Sequence, residues 1–229
     1  MIKKIYWLFR KPIALIKGYL THQQPHDKQK TWENLWAKPD FDIQRFPSEL
    51  QEAVAQQWFA PASRLLDIGC GSGTCANWLA QQGFMVTGID FAPSAIRRAQ
   101  ATYPEHEYLR FCLLDICQAA PARTFDALFD RGCFHEIPSH LRSRYVQHVA
   151  AAANPNAHVL LLHRLWATAK GTVPPDEQAA YRARLIAQIQ RDFHPLFAVT
   201  DSRPIIYRRH GEQPTSDDLP GVAFWMVRR

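Results

Sequence analysis

The sequence predicts an α/β fold of the doubly wound kind, a mainly parallel seven-stranded sheet with helices on both faces. Three observations predict it. Short apolar runs of strand type alternate with helical segments from residue 64 to residue 163. One of these runs, Leu65-Leu-Asp-Ile, leads into the glycine-rich turn Gly69-Cys-Gly-Ser-Gly73 and then a helical segment, the unit that builds ligand sites at the carboxyl edge of a parallel sheet. The last two strand-type runs have no helical segment between them, which predicts an antiparallel C-terminal hairpin at one edge.

The elements follow in order. Trp32 and Trp36 start a short helix that stops before Pro39. Ser48 is a fitting N-cap for a helix ending near Phe59. Strand one covers 64–68, and the next helix runs over 74–82 with Gly83 as its C-terminal stop. Strand two covers 85–89, and Pro93 opens a helix that continues to 102. Strands three and four cover 108–113 and 125–129. Ser139 caps a helix to 152, strand five covers 158–163, and a further helix covers 176–191. The final strands cover 197–203 and 222–227. Residues 21–30 are polar, include Pro25 and read as a linker. The chain therefore divides into a leader and linker over 1–30 and one domain over 31–229.

A chain of 229 residues with 47% hydrophobic and 21% charged residues is a globular domain with a full core, not a disordered segment. Five of its 27 bases and none of its 21 acids fall within residues 1–20, so the body of the chain is almost neutral. A nucleic-acid-binding surface would spread bases over the body, so no nucleic-acid partner is expected. The five cysteines contain no paired Cys-x-x-Cys, so no metal is indicated, and free thiols in a reducing, cytoplasmic compartment are the simplest reading.

The turn chemistry selects the ligand. A dinucleotide fingerprint needs Gly-x-Gly-x-x-Gly to seat a pyrophosphate on the helix N-terminus. Here the glycines are Gly69, Gly71 and Gly73, and Thr74 follows. Asp67 leads the turn, and a carboxylate there repels a pyrophosphate but suits an ammonium group. Asp90, at the end of strand two, stands where a carboxylate accepts both hydroxyls of a ribose. The cofactor that matches both acids is S-adenosylmethionine.

The Asp67-x-Gly-Cys-Gly-Ser-Gly turn and the Val86-Thr-Gly-Ile-Asp90 strand resemble the first two motifs of the class I S-adenosylmethionine-dependent methyltransferases. That resemblance implies a Rossmann-like fold and a set of cofactor residues. Asp67 would meet the methionine amino group, directly or through water. Gly69, Cys70, Gly71 and Gly73 would let backbone approach the cofactor. Asp90 would hold ribose, Phe91 would lie against adenine, and Asp115 with the Ile116 backbone would flank the adenine amine. A helix cap is the competing role for Asp115.

The second informative block is Phe125-Asp-Ala-Leu-Phe-Asp-Arg-Gly-Cys-Phe-His-Glu-Ile-Pro138, at the end of strand four where the methyl group should point. It lacks the Asp/Asn-Pro-Pro-aromatic motif of adenine-type amino methyltransferases, because Arg131 and Gly132 fill those positions. It also lacks the Pro-Cys nucleophile of cytosine-C5 enzymes. The run from Asp130 to Pro138 resembles the thiopurine and thiol S-methyltransferase branch and its tellurite-resistance relatives. Trp32 and Trp36 resemble the aromatic element that closes over the cofactor in that branch, which places Trp36 among the cofactor residues. The resemblance covers residues 31–229 and implies a small-molecule acceptor.

Methyl transfer from a sulfonium is an in-line displacement, so the protein must position the acceptor and remove its proton. His135 is the general-base candidate. Arg131 would favour a thiolate or bind an anionic acceptor, with Asp130 beside it; ordinary strand-end hydrogen bonds and an ion pair with Asp130 or Glu136 are the competing roles. Cys133 reads as a small buried filler. His163-Arg164 lies at the same sheet edge, residues 170–175 form a stiff loop that suits a lid, and Tyr145, Trp166 and Tyr181 line either a pocket or the core.

Residues 1–20 repeat Ile2, Ile5, Tyr6, Phe9, Ile13, Ile16 and Leu20 among Lys3, Lys4, Arg10, Lys11 and Lys17. The longest uncharged apolar run is too short for a signal-peptide core or a membrane span. Two readings stay open: a basic amphipathic segment on the inner face of an anionic membrane, or a helix packed on its own domain. Three functions follow. The first is methylation of a thiol or other soft nucleophile, selenium and tellurium species included. The others are O- or C-methylation of a membrane-associated quinone or lipid, and cofactor binding without catalysis.

Overall fold

The computed structural model describes residues 25–38, 41, 47–165, 173–207 and 219–229. The leader over 1–20, linker residues 21–24, Trp166 and loop residues 170–172 lie outside them. Helices α1 (Pro25–Trp36) and α2 (Ser48–Ala55) precede β1 (Arg64–Ile68), α3 (Thr74–Gln81), β2 (Met85–Asp90), α4 (Pro93–Thr102), β3 (Leu109–Leu113) and β4 (Phe125–Arg131). Two short 3-10 turns, Phe134–Glu136 and Ser139–Leu141, lead to α5 (Arg142–Ala152) and β5 (Ala153–Arg164). Helix α6 (Gln178–Phe193) and strands β6 (Phe197–Tyr207) and β7 (Leu219–Arg228) complete the chain.

The seven strands lie in the order β3-β2-β1-β4-β5-β7-β6. The first five run parallel, and β7 is antiparallel to both β5 and β6. Strand β1 is buried at four of its five positions, as expected for a central parallel strand covered on both faces. Alternate side chains feed two cores. Leu66, Ile68 and Leu128 pack with Val149, Leu185, Ile189 and Phe193 of α5 and α6. Leu65, Ala127 and Phe129 pack with Leu50, Leu79, Ile96 and Ala99 of α2, α3 and α4. The outer strand β3 keeps only Leu109 and Phe111 buried.

Several boundaries differ from the sequence expectation. Residues 25–30, read as linker, are the first turns of α1, which crosses the boundary placed at residue 30. Proline suits the first helical turn, and the polar residues of this stretch are ordinary helix formers, so contacts made further on by Trp32 and Trp36 decide the conformation. Ser48 is the first residue of α2 and not its cap; the extended Pro47 holds that position with no side-chain hydrogen bond. Ser139 opens a 3-10 turn, and α5 begins only at Arg142. The stop at Gly83 stands: it has φ +89°, and the Phe84 N–H reaches back to the Leu79 carbonyl at 3.2 Å.

Candidate active site

The carboxyl ends of the parallel strands open into one cavity of about 590 Å³. Its cofactor-type end is built from β1, β2 and the segment after β3. The Gly69 and Cys70 N–H groups both donate to the Ile89 carbonyl, at 2.8 and 2.9 Å, which binds the glycine turn to β2. Gly69, Asp90, Phe91, Asp115 and Ile116 reach the cavity wall, and Gln29, Trp32 and Trp36 of α1 close over it. Asp90 is 6% exposed. Its carboxylate accepts from Gly71 N–H at 3.0 Å and Ala92 N–H at 2.9 Å, which fix it at the cavity wall. Burial pushes this carboxyl up to about 6 against the pull of those N–H groups.

Asp67 does not reach the wall. It is buried under the turn, and its Oδ2 has no hydrogen-bond partner among the described residues. Burial, then the nearby charges of Asp130 and Asp90, push it up to about 7. A buried carboxylate oxygen in need of a donor fits an ammonium group, and an acid at the end of β2 fixed by the Gly71 and Ala92 N–H groups fits a ribose. The residues present therefore suit S-adenosylmethionine.

Cys70, Gly71 and Gly73 also stand off the wall. Gly71 has φ +55°, and a Cβ there would lie 2.6 Å from the Trp36 indole. At Gly73 the Phe111 ring takes the corresponding space. These two glycines serve close packing of α1 and β3 on the turn, where direct approach of backbone to a ligand was expected. Asp115 lines the cavity, and its carboxylate also caps the following turn through Cys117 N–H at 2.8 Å.

The opposite end is built from the loop after β4 and the ends of β5 and β6. Arg131, Gly132, Cys133, His135, Glu136, Arg164 and Tyr207 line it. The His135 side chain is 3% exposed, with Nε2 3.6 Å from Glu136 Oε1. Glu136 is paired in turn with the buried guanidinium of Arg164. Arg131 lies over the Tyr207 ring, 5.4 Å from its centroid. Cys133, expected as a buried filler, is half-buried on the cavity wall, and desolvation, then the Asp130 charge, holds its thiol well above the ordinary range. Sequence reasoning placed Arg164 at the same sheet edge without a role, read Glu136 only as an ion-pair partner and missed Tyr207 entirely; no local motif marks a residue whose strand joins the sheet 76 positions after Arg131.

Asp130 departs from its expected place among the reacting groups. It is 1% exposed and off the cavity wall. Its carboxylate accepts from Cys133 N–H at 2.8 Å, Phe134 N–H at 3.0 Å and the Tyr145 hydroxyl. Side chains alternate along a strand, so Arg131 faces the cavity while Asp130 turns inward and anchors the loop. Tyr145 is core by the same contact, and neither it nor Tyr181 lines the cavity.

The model of the thiopurine S-methyltransferase family matches residues 27–195, nearly three quarters of the chain. The chain belongs to the thiopurine S-methyltransferase family. Within it, the thiopurine S-methyltransferase of Stutzerimonas stutzeri is 28% identical over 228 residues, covering 86% of this chain and 97% of that one. A 2-heptyl-1-hydroxyquinolin-4(1H)-one methyltransferase of Mycobacteroides abscessus is 30% identical over 148 residues, covering 63% of this chain and 62% of that enzyme. The fold is shared with the N-methyltransferase NodS of Bradyrhizobium japonicum bound to S-adenosylhomocysteine, at a TM-score of 0.65 and 16% identity over 87% of this chain and 97% of that one. This family member is an S-adenosylmethionine-dependent methyltransferase, with a Rossmann-like seven-stranded sheet and an antiparallel β5-β7-β6 edge.

Proposed function

We propose that the protein methylates the sulfur of a small thiol or thione, with planar heteroaromatic acceptors the favoured class. One observation carries this reading: Arg131 and His135 share a cavity with Trp36, Asp90 and Phe91, so a proton acceptor and a cation face the place where a methyl donor would point. S-adenosylmethionine supplies an electrophilic methyl group on a sulfonium that is its own leaving group. Asp90 would hold the ribose, Phe91 and Trp36 would enclose the adenine, and Asp67, beneath the wall, would take the charge of the amino group through water. Arg131 lowers the pKa of a thiol from its reference of about 8.5, and His135 takes the proton. The side chains around His135 keep bulk water away from the nucleophile.

A second reading follows from the Mycobacteroides relative, whose name gives a hydroxylated quinolone as its acceptor: O-methylation of a heteroaromatic hydroxyl by the same base. The basic leader over 1–20 would bring such a lipophilic acceptor from a membrane surface. The test is S-adenosylhomocysteine release against thiols, thiopurines, sulfide, selenite, phenols and quinols, with and without residues 1–20. Turnover confined to sulfur or selenium acceptors supports the first reading. Turnover confined to hydroxylated rings, lost with the leader, replaces it with the second.

A further inference from the structure

Tyr207 is the last residue of β6, paired with Leu219 of β7, and is 8% exposed on the cavity wall. One ring makes three contacts with the end of β4 and the loop that follows it. The Arg131 guanidinium lies over its face, 5.4 Å from the centroid. The His135 ring meets it edge to face, with centroids 5.6 Å apart and planes at 75°. Its hydroxyl packs on the α-carbon of Gly132, so closely that a Cβ there would overlap it. Gly132 has φ +94°, so a glycine serves both the backbone shape and the approach of the tyrosine.

Long side chains lose rate when they wander: about 1 Å of misplacement can cost 10²-fold. Arg131 ends β4 and His135 lies four residues on in the 3-10 turn, so β4 alone does not bring their side chains together. A cation is drawn to a ring face and a ring edge to a neighbouring ring, so one aromatic side chain can hold both. We propose that Tyr207 is a positioning residue of methyl transfer, its ring holding the Arg131 guanidinium and the His135 imidazole together at the acceptor end of the cavity. This rests on the reading that those two groups face the acceptor.

The environment of His135 makes the placement measurable. Glu136 faces it at 3.6 Å and is itself paired with Arg164. The His163 ring lies 5.2 Å away, and burial pushes it down to about 3, so it is neutral at working pH. Shifting the His135 ring relative to Glu136 therefore changes its proton affinity.

The experiment compares the full chain with Tyr207→Leu and Tyr207→Phe. Three quantities are read: S-adenosylhomocysteine affinity by calorimetry, kcat on an acceptor the parent turns over, and the His135 imidazole titration by NMR, assigned by its loss in His135→Ala. Tyr207→Leu should lose about thirtyfold or more in kcat while S-adenosylhomocysteine affinity stays within about threefold. Its His135 midpoint should move by more than about half a pH unit. Tyr207→Phe keeps the ring and should recover kcat to within about fivefold of the parent. A kcat for Tyr207→Leu near the parent value, with an unmoved midpoint, overturns the proposal. So does Tyr207→Phe losing more than about tenfold, since the hydroxyl and not the ring would then carry the effect; this arm decides alone if Tyr207→Leu does not fold. A parent that turns over no acceptor sinks the proposed function instead, and the NMR arm still tests the positioning.

Discussion

The two ends of the cavity differ in charge and in how the chain assembles them. The cofactor end carries acids: Asp90 on the wall and Asp67 beneath it, both pushed up by burial. The acceptor end carries Arg131, Arg164 and His135, with Glu136 as the counter-charge. A cation is wanted where the methyl donor binds and an anion where the methyl group lands, so the polarity follows the direction of transfer. Assembly differs as well. Gly69, Asp90 and Phe91 come from one strand-turn-helix-strand unit, held by backbone hydrogen bonds between neighbouring strands. The acceptor end needs three strands whose contributing residues, Arg131, Arg164 and Tyr207, are far apart in sequence. Changes at one end should therefore move binding, and changes at the other should move kcat.

The sharpest separation is expected for His135→Ala, with kcat reduced by about 10²- to 10⁴-fold and S-adenosylhomocysteine affinity kept. Steady-state kinetics beside calorimetry reads both; equal turnover removes His135 as the base. Asp130→Ala should act on the fold and not on either ligand. It leaves two backbone N–H groups and the Tyr145 hydroxyl without their acceptor, at a cost of about 3–5 kcal/mol in urea unfolding. A loss of activity with unchanged stability would return Asp130 to the reacting groups.

Gly71→Ala tests the cofactor end. A methyl group there meets Trp36 and needs φ near +55°, so strain of about 1–3 kcal/mol and roughly tenfold weaker S-adenosylhomocysteine binding are expected. Full affinity would show that α1 does not close on the turn in solution.

The acids predict a pH dependence. Asp67 at about 7 and Asp90 and Asp130 at about 6 lie above their unfolded value of 3.8, so the ligand-free folded state binds more protons than the unfolded chain. Stability of the ligand-free protein should fall as pH rises from about 4 to about 7, by on the order of a few kcal/mol. Affinity for S-adenosylmethionine should instead rise through about 7 as Asp67 ionises. Both trends should flatten in Asp67→Asn, followed by urea unfolding and calorimetry at several pH values.

The smallest effect is expected at Glu33. Its carboxylate accepts from the Ser94 N–H at 2.9 Å and from the Ser94 hydroxyl at 2.8 Å, capping α4 from α1, with Arg97 beside it at 3.2 Å. Burial pulls this carboxyl up, but the two Ser94 donors and Arg97 outweigh it and hold it low. Losing a cap of this kind should weaken cofactor binding about two- to fivefold in Glu33→Ala. No change by calorimetry would mean that the two aromatic side chains of α1 hold it in place without the carboxylate.

What was legible in the chain follows the reach of local interactions. Buried parallel strands are continuous apolar runs, three alternating glycines mark a turn with positive φ, and Gly83 ends a helix by its own geometry, so β1, β2, α3 and the place of Asp90 at the sheet edge could be read from the residues. The bond pattern of a carboxylate is not local. Asp130 and Arg131 are adjacent and equally plausible on the page, and only the pleat of β4 and the arrival of Tyr145 from α5 send one inward and the other to the cavity. Helix α1 was half hidden for the same reason, since its stability comes from packing on the turn and on α4. The sequence by itself determined the fold and the methyl-donor chemistry, because those depend on backbone conformation and burial over short stretches. Only the tertiary structure decided which side chains face one another in the cavity, because Glu136 with Arg164 and Arg131 with Tyr207 meet through the order of strands in a sheet.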